Sequence, residues 1–334
     1  MISPRILLTT YHEAFLYKGG GEFEIHQIAT NLKKVGYVAD IYSPYSLNLD
    51  NYDIVMHFSI HGGGLRLLEY IKSKKKPIIL FPNFFKNSEL DQQQIADCHR
   101  FTDIADMVIF KSHYLKNHFL SSFGIDDNPD KFVITNYSVN DEIINPAPAD
   151  IFKSIFKLDK YALSLGIAEP LKNQMSSVVA CKELGLHLVN VGKFRDKEYF
   201  QQCMDMCDKN CTFIDSLPYH SDIMRSALQQ CAVYIEVSLE PPGISAIEAG
   251  LSGCRLVLSD SEWTDEIFGE HCIKVNPLSI DSIIAGIKKA MSAETDREAV
   301  RQHLTKHLIK NSINNLIVII NKVFLANFEQ KAGR

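Results

Sequence analysis

The chain has 334 residues, 46% of them hydrophobic and 22% charged, with a net charge of −5 at neutral pH. That length and composition suit a large buried core divided between two domains of about 150 residues each. The mild acidity argues against a dedicated nucleic-acid binder. No apolar run approaches the ~18 residues of a membrane span. Met1 leads straight into a strand-like Ile6-Leu7-Leu8, so no leader peptide is expected. The eight cysteines are scattered, as in a reduced cytoplasmic protein.

In chain order, Ile6–Thr9 reads as a first strand. The turn Lys18-Gly19-Gly20-Gly21 then precedes a helix from about Glu22, with Ile25, Ile28, Ala29 and Leu32 on one face and Gly36 as its C-terminal cap. Short apolar runs near Ala39–Ile41, Asp53–His57, Pro77–Phe81, Met107–Phe110 and Phe132–Ile134 read as further strands. His61-Gly62-Gly63-Gly64 opens another helix. The basic run Lys72, Lys74, Lys75, Lys76 reads as a solvated helix end, or alternatively as a contact for anionic lipid headgroups. Strand–helix alternation of this kind means a parallel sheet covered on both faces.

Asn145-Pro146-Ala147-Pro148-Ala149 is a linker candidate. The expected organisation is therefore one Rossmann-like domain over 1–146, a linker over 147–160 and a second such domain over 161–305. Residues 306–334 form a terminal helix expected to pack back on the first domain. Within the second domain the strands are Ala162–Gly166, Leu188–Val191, Thr212–Ile214, Ala232–Ile235, Arg255–Leu258 and Cys272–Val275, with helices over Asn173–Leu184 and Asp281–Met291. Cys203, Cys207 and Cys211 recur every four residues and read as one helix face rather than a thiolate cluster.

The stretch Val237–Asp260 carries the most chemistry. Pro241-Pro242-Gly243 forms a loop after a buried strand, and Ile244 opens a short helix. Ile244, Ile247 and Leu251 face the core, while Ser245, Glu248 and Ser252 share another face. Glu240 lies in the loop and Glu248 in the first turns, beside the free N–H groups of Gly243, Ile244 and Ser245. Two hydroxyl-accepting carboxylates beside an anion-binding helix end suit a ligand that carries both hydroxyls and phosphate.

Glu240 to Asp260 resembles the E-x7-E element, with its trailing E-A-x-x-x-G, of the GT-B glycosyltransferases, and most closely the retaining family 4. Further segments resemble that family in the same order: Gly19-Gly20-Gly21-Glu22, Ala105-Asp106 to Ser112, Ile134-Thr135-Asn136 to Pro146, Gly166 to Asn173, and Val275-Asn276-Pro277. The resemblance implies an α/β fold of two Rossmann-like domains facing a central cleft. It implies a metal-independent, retaining transfer of a sugar from a UDP- or GDP-sugar to a hydroxyl acceptor, with no other cofactor, in glycan or polysaccharide synthesis. The acceptor would be a glycan or a lipid-linked glycan, and the protein cytoplasmic, with a peripheral contact at the inner membrane face.

By the same resemblance Glu240 contacts the transferred sugar and Lys172 neutralises the departing diphosphate. Glu248 holds the ribose, and Gly243, Ile244 and Ser245 offer backbone N–H groups to the donor. Gly20 and Gly21 allow close backbone approach of a phosphate or sugar. His57, His61 and Asn83 lie on the acceptor side, where Phe84 and Phe85 follow. Glu266 is a secondary candidate. The family's arginine after Gly166 is here Ile167, with Lys193 and Arg195 as candidate substitutes. Pro242, Arg255 and Pro82-Asn83 also depart from the family pattern. Two other readings stay open: a glycosyltransferase-like scaffold without catalysis, and a sugar-nucleotide epimerase.

Overall fold

A computed structural model describes residues 3–16, 19–85, 89–148, 150–207, 209–219, 221–292 and 296–332, without the side chains at 328 and 330–332. Met1, Lys18 and Ala149 lie outside them. The chain forms two compact units, one of Met1–Ser138 with Ile309–Arg334, the other of Val139–Leu308.

The first unit is built on β1 (Arg5–Thr9), β2 (Val38–Ile41), β3 (Ile54–Phe58), β4 (Ile78–Phe81), β5 (Met107–Phe110) and β6 (Phe132–Ile134). They form one parallel sheet in the order β2-β1-β3-β4-β5-β6. Its helices in sequence are α1 (Gly20–Lys34), α2 (Leu65–Ser73), α3 (Gln92–Ile104) and α4 (His113–Phe123). One face of the sheet packs on Ile25, Ile28, Ala29 and Leu32 of α1, the other on Leu68, Cys98, Phe101 and Phe119. Strands buried on both faces explain the unbroken apolar runs of β4 and β5.

The second unit holds α5 (Ile151–Phe156), β7 (Tyr161–Leu165), α6 (Gln174–Glu183), β8 (His187–Val191), α7 (Lys197–Met206), β9 (Cys211–Ile214), α8 (Asp222–Gln230) and β10 (Val233–Glu236). It continues with α9 (Ile244–Leu251), β11 (Leu256–Ser259), α10 (Glu262–Phe268), β12 (Ile273–Val275), α11 (Ile280–Ser292) and α12 (Arg297–Leu304). Its parallel sheet runs β12-β11-β10-β7-β8-β9. The last helix, α13 (Ile309–Ala332), belongs to the first unit. Its Ile309, Ile313, Leu316, Ile320 and Val323 form a stripe at alternating steps of four and three in the α1-side core. No helix among the described residues is long and apolar enough to cross a membrane.

Three expectations change. The segment 147–160 is not a linker: it contains α5, and Phe152 of α5 is fully buried 5.3 Å from the Tyr161 ring. The chain leaves the first unit earlier, at Ser138, because Val139 pairs with Leu308 inside the second. Cys203, Cys207 and Cys211 do not share a helix face. Helix α7 ends at Met206, Cys207 is extended, and it is disulfide-bonded to Cys211 at the start of β9. The basic run lies at the C-terminal end of α2 with Lys74 and Lys75 exposed, as a solvated helix end should. Lys72 pairs with Asp106 at 2.7 Å, and the Lys76 ammonium donates to the carbonyls of Asp50 and Tyr52.

Candidate functional site

In the second unit the chain moves outward from β7 through β8 to β9, then returns to place β10 on the other side of β7. That reversal leaves a crevice outside the carboxyl ends of β7 and β10, where open α/β sheets bind ligands. Two glycines shape its rim. Gly166 and Gly192 follow β7 and β8 with φ of +152° and +157°. A Cβ on Gly192 would stand 1.9 Å from the Gly166 carbonyl oxygen, so only glycine lets the two loops run together. The loop from Gly166 then brings Lys172 to the crevice.

The Lys172 ammonium lies 2.9 Å from Glu240 Oε1 and 3.7 Å from Glu236 Oε1. Burial works against its charge, but Glu236 and then Glu240 outweigh that cost and hold its pKa above the ordinary lysine value. Asn173, next in sequence, does not cap α6 through its side chain. Its Nδ2 instead donates to the carbonyls of Val237 and Pro277 at 3.0 and 2.9 Å, tying three segments together below the site.

Glu236, at the end of β10, was not singled out in the sequence, and it organises this region. The residue is 3% exposed. Its Oε1 accepts from the Gly243 N–H at 3.1 Å, and its Oε2 accepts from Ser245 Oγ at 2.9 Å and the Tyr234 hydroxyl at 2.7 Å. Gly243 is the N-cap of α9 and has no side chain to cap it. The strand supplies the missing acceptor, and a carboxylate there also complements the helix dipole. The Gly243 N–H, expected to serve a ligand, thus has an internal partner, as does the Ser245 hydroxyl. The signal available was a glutamate closing the apolar run Val233-Tyr234-Ile235.

Glu248 is not on an open face of α9. It is 3% exposed, and the Tyr219 hydroxyl donates to its Oε1. Burial pushes its carboxyl up to about 7, against the Tyr219 hydrogen bond and with a smaller push from Glu236. The reason is α9's enclosure. A Cβ on Gly250 would lie 2.3 Å from Leu304 on α12, and Ser252 is as buried as Leu251. Arg195 does not stand in for the arginine absent at Ile167: it is 3.0 Å from Glu169. Lys193 meets Ala168 through its carbonyl, and Glu266 lies half-buried on α10. Among the described residues, no group of three His, Cys, Asp or Glu side chains is placed to hold a metal ion.

In the first unit the corresponding reversal lies between β1 and β3. A cavity of about 350 Å³ opens beside it at the carboxyl ends of β1 and β2, lined by Thr9, Thr10, Tyr11, His12, Phe15 and Tyr42 among others. His57 is not in contact with solvent. It is fully buried with Nδ1 2.8 Å from Thr9 Oγ1, and burial lowers its pKa to about 4. A Cβ on Gly64 would meet its Nε2 at 2.8 Å, so the glycine run packs over this ring. His61 is exposed and stacks on Phe84 at 5.6 Å. Asn83 accepts from the Lys111 ammonium at 3.1 Å, and Lys111 is paired with the buried Glu24 of α1. This pair, 87 residues apart, leaves no local trace in the sequence. Gly20 and Gly21 form the first turn of α1, exposed and with open space around them. Glu22 closes that turn by accepting from the Gly19 N–H at 2.6 Å.

No protein-family model matches the chain, and no curated protein matches it. Solved structures do. The glycosyltransferase from Rickettsia africae ESF-5 is 16% identical with a TM-score of 0.76, over 96% of this chain and 99% of that one. The sucrose-phosphate synthase of Thermosynechococcus elongatus is 13% identical with a TM-score of 0.71, over 99% and 100%. HepE from Anabaena, in complex with UDP and glucose, is 12% identical with a TM-score of 0.69, again over 99% and 100%.

Proposed function

From this GT-B fold, two Rossmann-like units over the full length of those neighbours, we propose that the chain is a retaining glycosyltransferase. It moves a sugar from a nucleoside-diphosphate donor to a hydroxyl acceptor. One observation carries the reading: Lys172, Glu240 and the N-terminus of α9 converge at the β7/β10 reversal, with Glu248 behind them. The sugar and ribose hydroxyls fall to Glu240 and Glu248, and the diphosphate falls to Lys172.

The chemistry required is modest. As the bond between the anomeric carbon and the diphosphate oxygen breaks, the sugar gains oxocarbenium character and negative charge builds on the leaving oxygen. Lys172 and the α9 amides stabilise that charge in place of a metal ion. The acceptor hydroxyl forms the new bond on the same face, and its proton passes to the departing diphosphate. Glu240 orients the ring. His61 and Asn83, exposed on the first unit, supply acceptor contacts, while buried His57 supports the fold. The UDP- or GDP-sugar donor, the glycan or lipid-linked acceptor and a cytoplasmic position at the inner membrane face come from the sequence resemblance. UDP in HepE favours a UDP-sugar. A panel of UDP- and GDP-sugars, tested by calorimetry and for transfer to oligosaccharides, decides between them. A donor that binds, with a product of retained configuration, supports the reading. Binding without turnover supports the scaffold reading, which Ile167 and the prior pairing of Lys172 favour.

A further inference from the structure

The groups aimed at the donor's diphosphate already serve an anion. Glu236 sits 3.7 Å from the Lys172 ammonium and takes the Gly243 N–H and the Ser245 hydroxyl. Lys172 is also held by Glu240, so one cation faces two carboxylates. Among the described residues Lys172 is the cation that pairs with these two carboxylates, while residue 167 is isoleucine and Arg195 pairs with Glu169. One set of donors cannot fully serve two anions, and like charges a few ångströms apart in a buried site repel strongly.

We propose that Glu236 is a specificity-determining residue that holds the diphosphate position as an internal anion. It thereby weakens retention of the free nucleoside diphosphate and leaves donor affinity to the sugar and nucleoside contacts. This deepens the glycosyltransferase reading and rests on it. Two consequences follow for the reaction. A donor whose sugar reaches Glu240 draws Lys172 toward the diphosphate. After transfer, the free diphosphate no longer has the sugar contact, and Glu236 takes back the lysine and the α9 N-terminus. Glu236 thus favours product departure.

The test is calorimetric titration of wild type, Glu236→Gln and Glu236→Ala with inorganic pyrophosphate and with UDP, at low and high salt. The single tryptophan, Trp263, reports in fluorescence that each variant is folded. Glutamine keeps the shape and loses the charge, while alanine loses both, so either folded variant scores the idea. The expected result is a gain of about tenfold or more in pyrophosphate affinity, with steeper salt dependence, since one repelling charge has gone. Unchanged or weaker binding in the folded variants overturns the proposal, as does the absence of anion binding in all three proteins. Equal UDP binding by all three sinks this inference and leaves the glycosyltransferase reading standing. A pyrophosphate gain with no preference for any nucleotide does the reverse.

Discussion

Replacing Glu248 by glutamine should make the second unit more stable at alkaline pH and leave it nearly unchanged at acid pH. The carboxyl is 3% exposed and pushed from its ordinary 4.5 up to about 7, mainly by burial. Between those values the folded chain holds a proton that the unfolded chain has released, so stability falls as pH rises through that window. At about 1.4 kcal/mol per tenfold change in proton affinity, the full penalty above neutrality is roughly 3 kcal/mol. Glutamine carries no such charge and keeps an acceptor for the Tyr219 hydroxyl. For a unit of this size the difference corresponds to about 6–12 °C in melting temperature. Trp263 is the only tryptophan and is fully buried in the second unit, so its fluorescence in urea titrations from pH 5 to 8 follows this unit alone. A stability difference between the two proteins that stays constant across that range would refute the argument.

Four further outcomes are expected. Gly192→Ala forces a Cβ to 1.9 Å from the Gly166 carbonyl, so the loop carrying Lys172 must shift; donor binding should be lost before the Trp263 signal is. The lowered pKa of His57 means that the first unit binds fewer protons than its unfolded state between pH 6.5 and about 4. Its stability is therefore full above pH 6.5 and falls toward pH 4, and His57→Leu should flatten that loss as read by hydrogen exchange in β1 and β3. Ile320→Ala, in the fully buried stripe of α13, should cost the first unit about 2–5 kcal/mol in denaturant unfolding. Alkylation in denaturant without reductant should label six of the eight cysteines, with Cys207 and Cys211 labelled only after reduction.

The alternation of strands and helices was legible because both sheets are parallel and their central strands are buried, which turns those strands into short apolar runs. The glycines that open α1 and the Pro-Pro-Gly turn before α9 punctuate the chain by local backbone rules. What the sequence hid depends on distant partners. Glu248 read as a ligand-facing residue of the first turns of α9, and its burial stayed hidden because the packing of α9 on Leu304 and Arg301, some fifty residues away, has no local period. Glu236 falls just past the run Ala232–Ile235 that reads as a buried strand, and only the fold shows that Lys172, Gly243 and Ser245 meet it there. The Pro-rich stretch at 145–148 reads like a linker by composition, yet Gln229 accepts from the Ala147 N–H and donates to the Asn145 carbonyl, fastening it to α8. Cysteines at a helical interval fell on two elements because α7 stops one residue short of Cys207.

The donor assignment stands or falls on equilibrium binding of UDP- and GDP-sugars to wild type, Glu240→Ala and Lys172→Ala, each folded by the Trp263 criterion. Wild type should bind one sugar nucleotide more tightly than the matching nucleoside diphosphate. Glu240→Ala should erase that difference, and Lys172→Ala should lower affinity for both ligands. Sugar-nucleotide binding that survives both substitutions undiminished would place the donor elsewhere and contradict the account.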